Sequence, residues 1–216
     1  MATGETREAA KRKATPRDAE ATRAKFLGAV GALLRKDGLQ ALGVNAIAKK
    51  AGRDKVLLYK YFGDLDGLYA RFAATAGLFP DLKEMLGPLA SRAGKMKSLD
   101  LAKAVASGYL REIRKRPLTL EILRWELVVQ NPLTKALSDF RTRQTQEFNA
   151  LMRSPPGVDM AAVTSLLYGG MVYLLLKAAA PEKFNGLDLG DHATWARVEK
   201  TVHLLLEKLY RGGNRR

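Results

Sequence analysis

Apolar residues recur along this chain at intervals of three and four, the period of helices that bury one face. The pattern is sharpest in residues 44 to 62, VNAIAKKAGRDKVLLYKYF, where Val44, Ile47, Ala48 and Ala51 share one face of a short helix. Gly52 follows at the point where a helix stops most easily, because glycine tolerates positive φ, and Arg53 completes a tight turn. Asp54 is placed to cap a second short helix, Lys55 to Tyr61, with Leu58 and Phe62 facing inward and Lys55, Lys60 and Tyr61 outside. Two short helices joined by a three-residue glycine turn make a helix-turn-helix. Isolated helices below about 12–15 residues are marginal in water, so a partner has to hold this pair. The preceding helix, from about Arg17 to Lys36, supplies one through Phe26, Val30, Leu33 and Leu34, and Asp37-Gly38 ends it.

The same reading predicts helices for the rest of the chain. One runs from about Asp64, its expected cap, to Phe79, with Leu65, Leu68, Tyr69 and Phe72 on its apolar side. Pro80 breaks the pattern, and residues 80 to 97, with Gly87, Pro88 and Gly94, read as short helix and loop. Leu99 to Arg114 is helical, and Arg114-Lys115-Arg116 suits a helix C-terminus, where cations meet the negative end of the dipole. Pro117 and Pro132 each start a further helix, to about Gln130 and Arg153, the latter with Leu133, Leu137, Phe140, Phe148 and Leu151 on one side. The run MAAVTSLLYGGMVYLLL, residues 160 to 176, carries no charge and is at the lower edge of the about 20 apolar residues of a membrane span. It reads as a soluble helix covered on more than one side. In the last helix Trp195, Val198, Val202, Leu205 and Leu209 form a seam at alternating threes and fours, and the two helices together predict a dimer interface.

The fold class expected is therefore all-α. The division expected is a basic arm over 1–16, a helix-turn-helix domain over 17–63, and a larger helical domain over 64–216. At 216 residues the chain is long enough for one or two domains with a sizeable core. It has no cysteine, hence no disulfide framework and no thiolate metal site, which suits a reducing cytoplasm. Its start is polar and charged, without the apolar stretch of a secretory signal. The formal charge is +15, and residues 1 to 62 carry 14 Lys/Arg against 6 Asp/Glu. About half of the excess thus surrounds the helix-turn-helix, which points to a polyanionic partner. Arg7, Lys11, Arg12 and Lys13 would extend that surface as a disordered arm.

The segment Thr22 to Tyr69 resembles the amino-terminal domain of tetracycline-repressor (TetR) family transcription regulators. The resemblance rests on Phe26-Leu27-x-Ala29-x-x-x-Leu33, Asp37-Gly38, Val44-x-x-Ile47-Ala48-x-x-Ala51-Gly52, Leu58-Tyr59-x-Tyr61-Phe62 and Gly63-Asp64-Leu65-Asp66-Gly67-Leu68, in order. It implies a homodimer that binds a double-stranded DNA operator through the second helix of the motif. The contacting residues expected are Asn45, Lys49, Lys55, Val56, Leu57, Tyr59, Lys60 and Tyr61. Three positions depart from the family pattern. Gly43 stands where Ser or Thr is usual, Val56-Leu57 stands where Gly-Thr or Gly-Ser is usual, and the lysine common after the aromatic triplet is absent. A hydroxyl contact is thereby lost and an apolar one gained.

Catalytic chemistry is not legible. His192 and His203 belong to no metal or triad spacing, the Gly169-Gly170 pair reads as helix packing, and no phosphate-loop or nucleophile-elbow motif occurs. No enzyme, cofactor, metal or membrane is expected. The central helices do carry Tyr109, Trp125, Phe140, Phe148, Met152, Tyr168, Met171 and Tyr173, a largely apolar set with polar tips that suits a small-molecule effector. The function expected is a cytoplasmic, homodimeric repressor relieved by such a ligand. Two alternatives stay open: a DNA-binding protein of the same fold that needs no ligand, and a helical enzyme or membrane-associated protein.

Overall fold

The computed structural model describes residues 16–178 and 183–212. The basic arm expected over residues 1–16 lies outside these, except for Pro16, which begins the first helix. Among the described residues ten α-helices follow one another, and the one β-type pairing is an isolated bridge between Phe184 and Leu187. The chain divides into two compact units, residues 1–72 and 73–216.

The first unit holds α1 (Pro16–Asp37), α2 (Val44–Ala51), α3 (Lys55–Phe62) and most of α4 (Leu65–Thr75). Its core is Phe26, Val30 and Leu34 of α1, Ile47 of α2, Leu58 of α3, and Leu68, Tyr69 and Phe72 of α4, all buried. The division falls inside α4 rather than before it, because this apolar side of α4 is part of the first core. Gly31 of α1 lies beside the Phe72 ring, where a Cβ would be in ordinary contact with it at 3.5 Å. Asp64 accepts from Gly67 N at 2.7 Å at the start of α4. The helix ends at Thr75, earlier than the spacing suggests, and Gly77 turns the chain with φ 61°.

The second unit is organised around α6 (Ser98–Arg114), which buries Leu101, Ala102, Val105, Ala106, Leu110 and Ile113. Short α5 (Leu82–Leu86), closed by a reciprocal Asp81–Glu84 capping box, packs against it so closely that a Cβ on Gly108 would run into the Met85 backbone. Then come α7 (Pro117–Glu126), α8 (Pro132–Ala150), α9 (Met160–Lys177) and α10 (His192–Gly212). Two of these are shorter than expected. At the end of α7 both Val128 N and Val129 N turn back onto the Trp125 carbonyl, and Leu127 and Val128 stand in solvent. Asn131 then opens α8 with its own capping box to Thr134. Leu151, expected on the inner side of α8, lies past its end and is exposed.

The expectation for α9 needs correction too. Only Met160, Thr164, Met171 and Leu175 are buried in it. The strip Ala162, Ser165, Leu166, Gly169, Gly170 and Tyr173 is exposed, Leu166 at 76%. One face packs inside the chain and the opposite, small-residue face is open, with nothing within 4 Å of a Cβ on Gly169 or Gly170. By length and composition α9 also meets the minimum for crossing a bilayer.

A charge cluster ties the C-terminal end of α6 to its neighbours. Glu112, 8% exposed, accepts from Arg111 Nε and Lys115 Nζ, both at 2.9 Å, and from Arg116 at 3.2 Å. Arg116 also reaches Glu84 at 2.5 Å and the Gly77 carbonyl at 3.4 Å. Thr119, buried at the start of α7, donates to the Leu78 carbonyl. The Lys115 hydrogen bond is the largest influence on Glu112; burial opposes it, Arg111 and Arg116 reinforce it, and the carboxyl is held at about 2 against an ordinary 4.5.

Two outcomes follow for stability. A depressed carboxylate stabilises the fold above its unfolded pKa and loses that contribution as pH falls through its folded one. Urea midpoints should therefore fall from about pH 4.5 toward pH 2 more steeply in the native chain than in Glu112→Gln, which at neutral pH should lose about 1–3 kcal/mol. Gly108→Ala should cost about 1–3 kcal/mol by the same measurement, because the added methyl has to push α5 away.

Candidate nucleic-acid interface

The turn between α2 and α3 is fixed by backbone hydrogen bonds. Gly52 is left-handed at φ 60°, ψ 40°; its N–H bonds the Lys49 carbonyl at 3.2 Å and the Arg53 N–H the Ala48 carbonyl at 3.1 Å. This paired arrangement ends a helix most readily on glycine, since a side chain is strained at that φ. Asp54 then starts α3, accepting from Val56 N at 2.8 Å, as its place in the sequence leads one to expect. Gly43 begins α2 with no side-chain cap.

Leu58 is fully buried, and Phe62 meets Phe26 of α1 edge to face, with ring centroids 6.1 Å apart. These contacts orient α3 so that Lys55, Val56, Tyr59 and Lys60 form an exposed face, with Val56 65% and Tyr59 48% exposed. Asn45 and Lys49 are exposed on α2. The other two sequence candidates sit differently. Leu57 is half-buried at the side of α3, and Tyr61 is half-buried with Arg23 of α1 5.2 Å and Lys60 5.7 Å from its ring centroid. Arg23 has no distinctive spacing in sequence, which is why it was not legible; its place beside Tyr61 depends on α1 crossing α3.

The arrangement offers cations, one aromatic hydroxyl and an apolar side chain on a short helix with no packing duty on that face. Such a surface suits phosphates at its edges and base edges at its centre.

The residues expected to hold a small molecule are only partly gathered. Tyr109 of α6 and Tyr168 of α9 meet edge on at 4.7 Å. Burial pushes the Tyr109 hydroxyl up to about 12 and raises that of Tyr168 as well. Beside them Arg141 grips Glu126 through two bonds of 2.7 and 2.6 Å and lies 4.9 Å from the Phe79 ring centroid. Phe148, Met152 and Tyr168 surround a gap of about 20 Å³, room for about one water. Met171 is plain core, Trp125 and Phe140 are half-buried, and Tyr173 faces outward against Phe184 at 5.3 Å.

The seam of α10 divides. Trp195 and Val202 are buried within the chain, where α10 lies along α6, and Val198 and Leu209 are half-buried. Leu205, with its neighbour Leu204, is exposed. His203 Nε2 lies 2.9 Å from Ser107 Oγ, and His192 is exposed at the first turn of α10. Among the described residues no three His, Cys, Asp or Glu side chains come together as a metal site.

Residues 31–72 match the family described as bacterial regulatory proteins, tetR family. No curated protein matches the chain in sequence. Among solved structures, a TetR-family regulator from Streptomyces coelicolor is similar with a TM-score of 0.51 and 18% identity, over 92% of this chain and 99% of that one. A TetR-like transcriptional regulator from Rhodococcus sp. RHA1 is similar at 18% identity with a TM-score of 0.40, over 89% of this chain and 94% of its own. The first likeness concerns the fold, a helix-turn-helix unit followed by a helical one; the sequence match covers the motif itself. Over residues 31–72, therefore, the chain is similar to the tetR family of bacterial regulatory proteins, and this similarity supports a DNA-binding regulator of transcription.

Proposed function

We propose that the protein is a homodimeric repressor that acts in the cytoplasm, binds a double-stranded DNA operator, and is released by a small, largely apolar ligand. The observation that carries the DNA-binding part is the exposed face of α3, where Lys55, Val56, Tyr59 and Lys60 are presented by a helix held from behind by Leu58 and Phe62. Paired recognition helices of a dimer read half-sites one helical turn apart, about 34–36 Å, or a multiple. A ligand releases such a dimer only through a difference in its affinity for the bound and free states.

The surface available for pairing is the exposed strip of α9 around Leu166 and Gly170, with Leu204 and Leu205 of α10. It lets helices approach closely over the glycines and covers the large apolar side chains that solvent otherwise meets. Trp195 and Val202 are already buried inside the single chain. One observation favours a second reading, a DNA-binding protein without a ligand: the aromatic set in the centre encloses only the 20 Å³ gap.

Lys60→Ala should weaken binding to all DNA sequences about equally and reduce the salt slope by about one. Val56→Thr should instead change sequence preference. Gel shifts with the DNA upstream of the protein's own gene, at several salt concentrations, test both. An unchanged slope for Lys60→Ala would refute this docking.

Leu205→Glu should leave the fold intact, since Leu205 is exposed in the single chain. In a dimer it would bury a charge at a cost of several kcal/mol. Light scattering should then show monomers with greatly reduced DNA affinity, and an undisturbed dimer would move the interface elsewhere.

A further inference from the structure

An open groove of about 470 Å³ lies between α6 and α10. It falls within the size range of small-molecule sites, and it does not involve the aromatic set discussed above. Its apolar wall is Leu110 and the indole of Trp195, whose Nε1 is anchored to the Leu189 carbonyl at 2.9 Å. Three cations stand around it, and two are committed. Arg111 bonds Glu112 and the Met85 carbonyl, each at 2.9 Å, and Lys115 bonds the same Glu112.

Arg114 differs. It is exposed, its guanidinium lies 5.0 Å from the Trp195 ring centroid, and no carboxylate pairs with it among the described residues. The remaining polar wall is acidic: Glu199 accepts from the Ser107 hydroxyl at 2.5 Å.

We propose that this groove is a binding site for a flat, apolar monoanion, an aromatic monocarboxylate in chemical class, with its carboxylate on Arg114 and its ring over Trp195 and Leu110. The charge pattern selects a monoanion. One cation is uncommitted, and a second negative group further in would meet Glu199. The flat body follows from the indole and guanidinium, two planar groups already in contact, beside which a ring adds contact without disturbing either. A plain alternative explains Arg114 as a cation offsetting the dipole at the end of α6. That role needs no groove, no indole and no ligand.

The regulatory consequence of the site rests on the ligand-responsive reading above; its occupancy does not. The chain has two tryptophans, Trp125 and Trp195. Full-length protein labelled with 5-fluorotryptophan therefore gives two ¹⁹F resonances, assigned with Trp125→Phe. On titration with 2-naphthoate the Trp195 resonance should shift saturably below millimolar concentration. With the neutral 2-naphthamide, or in Arg114→Gln, binding should be weaker by about tenfold or more, the size of one charge-assisted contact. The Arg114→Gln change is at an exposed side chain and should leave the fold intact.

No saturable shift at Trp195, equal binding of amide and acid, or an unaffected Arg114→Gln overturns the proposal. A shift at Trp125 alone overturns it in favour of a ligand in the central aromatic set. DNA release is measured separately on the same samples. Naphthoate that shifts Trp195 yet leaves DNA bound upholds the groove and separates its occupancy from DNA release.

Discussion

The exposed face of α3 depends on the burial of a single leucine. A helix of eight residues has no stability of its own, so the aim of α3 is whatever Leu58 and Phe62 make it. Leu58 is fully buried in the core with Phe26 and Ile47, and this fixes the rotation of α3 about its axis. Every exposed side chain on it then has a defined direction. The Gly52 turn sets where α3 begins, and the Asp54 cap sets which N–H groups are satisfied there. Packing from behind and hydrogen bonds at one end leave the outer face free of structural work, which is the condition for a surface that reads another molecule.

In the second unit a comparable role falls to α6, which meets a different neighbour on each side. Gly108 admits α5, Tyr109 meets Tyr168 of α9, and Lys103 and Ser107 face Glu207 and Glu199 of α10 at 2.5 Å. The α10 contact is a polar ladder beside an apolar one, with Trp195, Val202 and Leu206 buried alongside. Ladders of this kind fix register more than they add stability.

The first unit was largely legible in sequence because its signals are local. The glycine turn, the Asp54 cap and the three-four spacing of Val44, Ile47 and Ala48 each act within a few residues, and local rules predict local structure. Helix ends in the second unit were less so. The α7 terminus depends on how Val128 and Val129 fold back on Trp125, which composition does not encode. The seam of α10 was legible as a period but not in how it divides. Periodicity says that Trp195, Val202 and Leu205 share a broad apolar face, but not how wide that face is or which neighbour takes which edge. Here α6 takes Trp195 and Val202 and leaves Leu205 outside. Arg114 was legible as a helix-end cation, and its indole partner, 81 positions further along the sequence, was not.

The bonds from α7 and its N-cap back to the segment after α4 carry a mechanical consequence. Arg116 holds the Gly77 carbonyl and Thr119 the Leu78 carbonyl, immediately past the end of α4. The two residues just past that helix are therefore held by side chains of α7 and its N-cap. Displacing the α6–α7 corner either drags Gly77 and Leu78 with it or strands a buried carbonyl, at about 1–3 kcal/mol. The segment just past α4 is thus fastened, within the second unit, to the corner that carries Arg111, Arg114 and Lys115.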